Sequence, residues 1–219
     1  MSTAVAPPVA TSPEFATVCD DLVGAVRLLS ARGWTPSTSS NFSSRIPGHD
    51  DVLAMSRSGV DKAFFNAGDL MIVDREGVGV WPEGARSSAE TPLHVAVYDL
   101  FNAGAVLHTH SVNATAVSLL FGQTGSLTFS GMELLKGFSG IRTHETSVEV
   151  PIFANDQDME RLSTLVRREL AGKSLYGFLI EGHGLYAWGQ SIAEARRHLE
   201  VFEFFFELQL RMEGLNVRA

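Results

Sequence analysis

The stretch AVLHTHS at residues 105–111 runs three apolar residues directly into a His-x-His pair. Residues i and i+2 point to the same side of a β-strand, whereas on a helix they point apart. His108 and His110 can therefore bind one divalent ion from a single strand face. A third histidine, His183, follows a second apolar strand and stands between two glycines. Three histidines around a free position describe a catalytic metal site better than a structural one.

The same histidines could instead be partly buried residues that bond to backbone carbonyls. A His-x-His pair alone would favour this alternative, but the glycines around the third histidine permit a tight turn and close backbone approach, and they favour metal binding. The remaining histidines fall in turns, polar segments or predicted helices and have weaker cases as ligands. They are His49, His94, His144 and His198.

Helical and strand patterns are intermixed along the chain, and hairpin-length connections recur. Helices are predicted from Pro13 to Gly33, from Ser87–Pro92 to Phe101, over 112–121, after a cap at Asn155, and over 191–212. Strands are predicted within 35–46 and over 51–56, 70–73, 78–81, 105–110, 148–153, 176–180 and 185–188. The pattern predicts an α/β fold with three layers, in which helices cover both faces of a largely antiparallel central sheet. Residues 1–13 are predicted to be a flexible tail, and 14–219 a single domain.

The composition narrows the class of protein. The 219 residues are 45% hydrophobic and 19% charged, which is typical of a globular domain. The formal charge of −8 is spread along the chain and argues against nucleic-acid or membrane partners. Cys19 is the single cysteine, so no intrachain disulfide can form. No membrane span or signal peptide is predicted, and we expect a cytoplasmic protein.

The last predicted helix carries apolar side chains around most of its axis, including Phe202, Phe204, Phe205 and Phe206. A terminal helix of this kind is usually buried against more than its own domain. We therefore expect subunits to pack against each other along it.

Two carboxylates and several small polar residues complete the candidate site. Glu90 opens the helix before the metal strand, and Glu133 lies among apolar residues. Either could remove a proton next to a metal-bound carbonyl. The alternatives are compensation of the helix dipole for Glu90 and an ordinary surface position for Glu133. Hydroxyl groups and backbone N–H groups at turns can bind phosphate, and a lysine can add charge. The candidates are Asn41, Ser58, Gly59, Lys62, Ser87 and Ser88.

From about residue 14 onward the chain resembles the class II aldolase/adducin family. Residues 38–45 (TSSNFSSR) are similar to the family's TSGNxSxR segment, with Ser40 where the family often has glycine. Residues 88–94 (SAETPLH) are similar to its SxE…H helix start, and residues 108–111 (HTHS) to its metal pair. A narrower likeness, to the family's dehydratases, lies in SGVDK (58–62), HSVNAT (110–115), ELLKG (133–137) and GHGLYAWG (182–189).

The resemblance implies one zinc ion per subunit, held by His108, His110 and His183. It implies that Glu133 is the general acid/base, while Glu90 matches the catalytic carboxylate of the family's aldolases. It also implies a homotetramer with fourfold symmetry and active sites near subunit contacts. The positions that match phosphate-binding residues of the family are Asn41, Ser58, Gly59, Ser87 and Ser88.

The implied reaction is dehydration of 5-methylthio-D-ribulose 1-phosphate to the 2,3-diketo-5-methylthiopentyl phosphate of methionine salvage. A sugar-phosphate aldolase or a pentulose-5-phosphate 4-epimerase is an alternative because Glu90 is retained, although the ELLKG motif weighs against it. A non-catalytic adducin-like module is a further alternative. Three retained histidines and two retained carboxylates weigh against that module.

Overall fold

The structure, a computed structural model, describes residues 6–216 and consists of one nine-stranded sheet with five α-helices. The strands are β1 (Asn41–Ile46), β2 (His49–Ser56), β3 (Leu70–Asp74), β4 (Gly79–Trp81), β5 (Ala105–Thr109), β6 (Ser126–Ser130), β7 (Ser147–Phe153), β8 (Gly177–Ile180) and β9 (Gly184–Gly189). The helices are α1 (Pro13–Ala31), α2 (Thr91–Phe101), α3 (Val112–Phe121), α4 (Met159–Leu170) and α5 (Ile192–Asn216).

The strand order is β4-β3-β2-β1-β5-β9-β8-β7-β6, and every neighbouring pair is antiparallel except β7 with β8. Side chains alternate across the sheet. Ala105 and Leu107 of β5 join the core formed with α1, α3 and α5, whereas Val106 joins the core formed with α2 and α4. Both faces are therefore covered, and the predicted three-layer fold with a largely antiparallel sheet is confirmed.

The ends of the first and last helices follow the sequence signals. The Ser12 hydroxyl accepts a hydrogen bond from the backbone N–H of Phe15 at 3.1 Å, which caps α1. The Ser191 hydroxyl accepts from the N–H of Glu194 at 3.2 Å, and the Glu194 carboxylate accepts from the N–H of Gln190. The predicted cap of α4 is wrong, because Asp158, and not Asn155, accepts a hydrogen bond from the N–H of Arg161.

The strand β6 was not predicted. It pairs only with β7 at the end of the sheet, and Phe129 is its one buried side chain. A five-residue edge strand with two apolar residues gives too short an alternation to stand out from a loop.

The predicted tail of residues 1–13 is partly folded. Residues 1–5 lie outside the described residues, but Pro8–Thr11 form a 3-10 turn whose Val9 side chain is buried against the core. The folded part of the chain thus begins before residue 14.

The apolar surface of α5 is largely covered within the chain itself. Phe202, Phe205 and Phe206 are buried in the core, and Phe204 is about half exposed. The apolar pattern therefore does not require a partner, because the sheet and the 3-10 turn before β7 cover several sides of the helix. On α3, however, Leu119 is 58% exposed. Within residues 6–216, no helix is long and apolar enough to cross a membrane.

The cap of α4 gives a direct stability prediction. Asp158→Ala removes the acceptor of the Arg161 N–H and should lower the free energy of unfolding by about 1 kcal/mol. For a domain of this size the melting temperature should fall by about 2–4 °C. Asn155→Ala, three residues earlier in the same exposed loop, is the matched control and should change little. Denaturant unfolding of both variants checks this, and a larger loss for Asn155→Ala would contradict the assignment.

Candidate metal centre

The centre of the sheet positions the first two histidines. His108 lies on β5, with Asn41 of β1 opposite on one side and Tyr186 of β9 opposite on the other. His110 follows the strand, and its backbone N–H donates to the carbonyl of Trp34 at 2.9 Å. The His-x-His pair therefore leaves the end of a strand whose backbone is fixed on both sides, as the sequence predicts.

The third histidine is held by the turn between β8 and β9. A Cβ atom on Gly184 would lie 2.1 Å from the carbonyl oxygen of Thr109, so only glycine permits this approach. Helix α3 fixes the turn from the other side. The Thr115 hydroxyl donates to the carbonyl of His183 at 3.1 Å, and the Ser118 hydroxyl accepts from the N–H of Gly182 at 2.9 Å. The close approach predicted for the glycines is confirmed.

These elements bring four ligand side chains together. One nitrogen or oxygen from each of Glu90, His108, His110 and His183 lies within 4.8 Å of all the others. Nε2 of His108 is 3.2 Å from a Glu90 oxygen, and Nε2 of His183 is 3.0 Å from the other oxygen. None of the other four histidines belongs to the group. The group has the donor atoms of a divalent-metal site.

The protonation of His108 supports this interpretation. Its Nδ1 lies 2.9 Å from the carbonyl oxygen of Leu185, which can only accept, so Nδ1 carries the proton. Burial lowers the pKa of His108 well below its ordinary value, despite the nearby Glu90 carboxylate. The ring is thus neutral, and its Nε2 lone pair faces Glu90 and the Nε2 atom of His183. A bound cation would satisfy these acceptors.

The spacing of the nitrogens also fits a metal ion. The Nε2 atoms of His108 and His183 are 3.3 Å apart. Tetrahedral metal–nitrogen bonds of about 2.0–2.1 Å separate two ligand nitrogens by about 3.3–3.4 Å. Burial lowers the pKa of His110 to about 4, with further lowering by His183 and Lys62, so this ring is also neutral near pH 7. Neutral imidazoles are the form that binds metal.

Glu90 is fixed by two further donors. The Asn41 side-chain amide donates to one of its oxygens at 2.7 Å, and the Tyr186 hydroxyl donates to the same oxygen at 2.8 Å. Burial would raise the pKa of Glu90, but the hydrogen bond that its carboxylate accepts from Asn41 favours the ionised form, and the pKa lies below its ordinary value. Glu90 is therefore a partly buried, ionised carboxylate, and its role exceeds compensation of a helix dipole.

The candidate phosphate-binding residues lie on three adjoining segments: the start of β1, the connection from β2 to β3, and the connection from β4 to α2. Asn41 bonds to Ser88 at 3.3 Å, the N–H of Ser58 donates to the carbonyl of Arg86, and Lys62 approaches the carbonyl of Thr38. The Asn41 amide hydrogens already point at Glu90 and Ser88, whereas Ser58 and Gly59 are exposed. Ser87 is partly buried and lies 3.5 Å from the carbonyl oxygen of Gly77.

Ser40 precedes this cluster in a backbone conformation that favours glycine, with φ of 72°. The family's frequent glycine and this chain's serine are thus compatible with one loop geometry.

Lys62 is a buried cation whose charge contributes to the low pKa of His110. Its side chain is 1% exposed, and its ammonium group donates to the carbonyl of Val60 at 2.8 Å. Burial lowers its pKa, although Asp61 and Asp69 oppose the shift. Among the described residues, no carboxylate lies within 4.0 Å of the ammonium. A buried ammonium without a carboxylate partner suits an anionic ligand.

Glu133 is not part of the metal-ligand group in this chain. It begins the 3-10 turn Glu133–Gly137, its side chain is 71% exposed, and it pairs with Lys136 and His144. The hydrogen bond from Lys136 lowers its pKa, so the carboxylate is ionised. The structure thus separates the two candidate carboxylates: Glu90 lies at the histidines, and Glu133 on the surface.

Two residues that support the site, Tyr186 and His94, were not predicted from the sequence. Tyr186 bonds to Glu90, and its ring stacks on His108 with centroids 3.9 Å apart. His94 is fully buried and contacts Asn41 and Ser43. Only the pairing of β5 with β9 reveals Tyr186, because nothing in the sequence says which strands are neighbours. For His94, its spacing of four residues from Glu90 on one helix face was an available signal.

Residues 20–210 match the class II aldolase and adducin N-terminal domain. This chain belongs to the class II aldolase and adducin family. The expected family membership is therefore confirmed over most of the length, and the metal-ligand group lies inside the matched region.

Individual relatives agree with this membership. The chain is 48% identical over 196 residues to a methylthioribulose-1-phosphate dehydratase of Xanthomonas campestris pv. campestris (strain 8004), covering 89% of each sequence. It is 47% identical over 206 residues to a protein of that name from Marinobacter nauticus, covering 93% of this chain and 97% of the relative. Its fold matches that of L-fuculose-1-phosphate aldolase from Thermus thermophilus with a TM-score of 0.72 and 26% identity, over 92% of this chain and 98% of the aldolase.

This member of the class II aldolase family should lose its metal without unfolding when one ligand is removed. His110→Ala takes away a ligand at a strand end, and an open catalytic site contributes little to the core. We expect bound metal to fall to a small fraction of one ion per chain, with an unchanged circular dichroism spectrum. Cys19→Ser is the control, because Cys19 is buried in α1 and does not belong to the group. Metal loss in Cys19→Ser, or full metal content in His110→Ala, would contradict the ligand assignment.

Proposed function

We propose that this protein catalyses the zinc-dependent dehydration of 5-methylthio-D-ribulose 1-phosphate to 2,3-diketo-5-methylthiopentyl 1-phosphate, a hydro-lyase reaction of methionine salvage. The observation that carries the proposal is the close group of three histidines and Glu90 in a chain 48% identical to proteins named methylthioribulose-1-phosphate dehydratase. We also propose a cytoplasmic location, which the single, buried cysteine supports because free thiols persist in reducing compartments.

The reaction sets clear tasks for the chain. A base must take the proton from C3, which lies next to the C2 carbonyl. The C4–O bond must then break, and the leaving hydroxyl must receive a proton so that water departs. Protonation of C4, together with loss of the proton on the C3 hydroxyl, then converts the remaining enol to the diketone. The protein must therefore hold the carbonyl end of the substrate, move protons at C3 and C4, and bind the phosphate.

His108, His110 and His183 would hold the zinc ion, with Glu90 as the adjoining carboxylate. When bound, the ion supplies Lewis-acid stabilisation of the negative charge that develops on the substrate oxygens when the C3 proton leaves. Imidazole and carboxylate donors without a cysteine suit zinc, as in other catalytic zinc sites. Tyr186 and Asn41 keep Glu90 ionised and oriented toward the ligand atoms.

The phosphate is proposed to bind where the start of β1, the β2–β3 connection and the β4–α2 connection adjoin. Lys62 supplies a buried positive charge that is felt at His110, and Ser58 and Gly59 supply exposed groups on the preceding turn. Ser87 and Ser88 lie on the adjacent loop, and Ser88 also contacts Asn41. Asn41 joins this set through its backbone or through a rearranged side chain, because its amide hydrogens already bond to Glu90 and Ser88.

Glu133 is proposed as the acid/base that moves the protons at C3 and C4. Because it is exposed and outside the ligand group of its own chain, we propose that it serves the metal centre of a neighbouring copy in a homotetramer. The exposed apolar side chains of α3 support subunit contacts: Val112 is 81% exposed and Leu120 is 60% exposed.

A second candidate function is a sugar-phosphate aldolase or a pentulose-5-phosphate 4-epimerase. The observation that favours it is the position of Glu90 directly against His108 and His183, where a carboxylate can itself exchange protons with a substrate. A non-catalytic adducin-like module is disfavoured, because such a module has no need for a metal-ligand group with a supporting hydrogen-bond network.

Product analysis decides between these functions. The zinc-loaded protein is offered methylthioribulose 1-phosphate, dihydroxyacetone phosphate with aldehydes, and ribulose 5-phosphate in separate reactions. We expect the diketone product from the first and turnover at least about a hundredfold slower with the others, because the acid/base group must be placed for one substrate. Aldol formation or C4 epimerisation at the higher rate would overturn the proposal. Heat-denatured protein with zinc is the control.

Mixed tetramers test the role of Glu133. Glu133→Gln should lower turnover by about two to four orders of magnitude and leave zinc content unchanged, since it removes one acid/base group. His110→Ala should be inactive because it lacks the metal. When both variants are co-expressed, about a quarter of the active sites between neighbours combine an intact metal group with an intact Glu133. Activity should therefore return to about a quarter of that of the unaltered protein.

In the matched control, His110→Ala is co-expressed with the double variant His110→Ala/Glu133→Gln. No activity should return, because no subunit of these tetramers has an intact metal group. Absence of recovery in mixed tetramers of the two single variants would rule out action across subunits. A monomer in light scattering would rule out the assembly itself. Normal turnover in Glu133→Gln together with an inactive Glu90→Gln would make Glu90 the principal base.

A further inference from the structure

A buried chain of hydrogen bonds runs from the interior of the protein to Glu90. The Tyr98 hydroxyl lies 2.8 Å from the Ser43 hydroxyl, which lies 2.7 Å from Nδ1 of His94. Nε2 of His94 bonds to the side-chain oxygen of Asn41, and the Asn41 amide nitrogen bonds to Glu90 at 2.7 Å. Tyr98, Ser43 and His94 are fully buried, and the proposed function uses none of them.

The Glu90 carboxylate at the end of this series fixes the direction in which the hydrogen bonds are donated. An ionised carboxylate only accepts hydrogen bonds, so Asn41 must turn its NH₂ group toward Glu90. The Asn41 carbonyl oxygen then faces His94, and this oxygen also only accepts. Nε2 of His94 must therefore carry a proton and donate it. The orientation of the Asn41 amide thus depends on which nitrogen of His94 is protonated.

The other side of the ring determines that protonation. Burial lowers the pKa of His94 to about 4, so the ring is neutral near pH 7 and carries one proton. With that proton on Nε2, Nδ1 has a lone pair and accepts from the Ser43 hydroxyl. The Ser43 oxygen in turn accepts from the Tyr98 hydroxyl. Every donor in this series of hydrogen bonds then points toward Glu90, and the polar side-chain atoms of Tyr98, Ser43 and His94 all have partners.

We propose that His94 is a positioning residue for the metal centre: by donating its Nε2 proton to Asn41, it locks the Asn41 amide in the orientation that holds Glu90. Without this donor, the buried Asn41 oxygen has no partner at its present position. A flipped amide would place that oxygen against the carboxylate, where two acceptors repel. Glu90 would lose one of its two neutral donors and its fixed position beside His108 and His183.

Two variants of similar size separate positioning from simple space filling. His94→Gln keeps a side-chain NH₂ that can donate to Asn41, whereas His94→Leu fills the space without a donor. Loss of a partner behind a metal-site residue typically costs about 10–100-fold in metal affinity. We expect His94→Leu to weaken zinc binding by this factor, and His94→Gln to remain within about threefold of the unaltered protein. Zinc affinity is measured by competition with a chelator, and unfolding of the metal-free variants reports general damage.

Equal weakening of zinc binding in both variants, or none in either, would overturn the proposal. The proposal rests on the proposed function only in that Glu90 adjoins the metal, and zinc affinity does not depend on which substrate is turned over. A failed product assay with the expected zinc affinities would therefore overturn the reaction and not the role of His94.

Neutron diffraction from crystals of the unaltered protein provides a test that needs no variant. Deuterium on Nε2 of His94, with the Asn41 ND₂ group facing Glu90, is the expected result. Deuterium on Nδ1 alone, or an Asn41 oxygen facing Glu90, would contradict the proposal even if His94→Leu failed to fold.

Discussion

The pairing register of β1, β5 and β9 is the constraint on which the site depends. It places Asn41, His108 and Tyr186 in one row across the centre of the sheet. A shift of β5 by one residue would turn His108 to the opposite face, away from Glu90. The alternation of Ala105 and Leu107 on one face with Val106 on the other fixes this register, because both faces are buried. The same apolar residues that hold the sheet together thus orient His108 toward Glu90.

Burial then determines what the polar groups of the row can do. A carboxylate and several neutral imidazoles inside a protein are costly unless each finds a partner. Glu90 obtains two donors from Asn41 and Tyr186, and His108 donates to the carbonyl of Leu185. The Nε2 lone pair of His108 is left to face other acceptors, which a cation can satisfy. The network therefore keeps His108 neutral and Glu90 ionised, which are the forms that bind a metal.

The sequence predicted those features that depend on local pattern. The His-x-His pair, the Gly-His-Gly turn and the capped first helix each rest on residues close together in the chain, and the structure agrees with them. The cap at Asn155 failed because Asp158 offers an equally good acceptor three residues later, and only backbone geometry distinguishes the two. The strand β6 was missed because an edge strand with one buried side chain carries a weak alternation.

The supporting residues could not be predicted because they depend on pairing between distant segments. Tyr186 is opposite His108 only through the β5–β9 register. His94 reaches Asn41 only because α2 covers the face of the sheet on which the Asn41 side chain lies. Glu133, by contrast, was predicted from the sequence but lies outside the metal-ligand group of its own chain. Its motif resembles the family's dehydratases, yet in one chain it lies on the surface, so its proposed role depends on a second copy that no single-chain pattern describes.

X-ray absorption at the zinc edge reports the atoms bound to the ion and therefore tests the three-histidine site itself. We predict that only nitrogen and oxygen bind the ion directly, at about 2.0–2.1 Å, with the more distant scattering of three imidazole rings. A sulfur at about 2.3 Å, or scattering from fewer than two imidazoles, would show that the ion is bound elsewhere and would contradict the account.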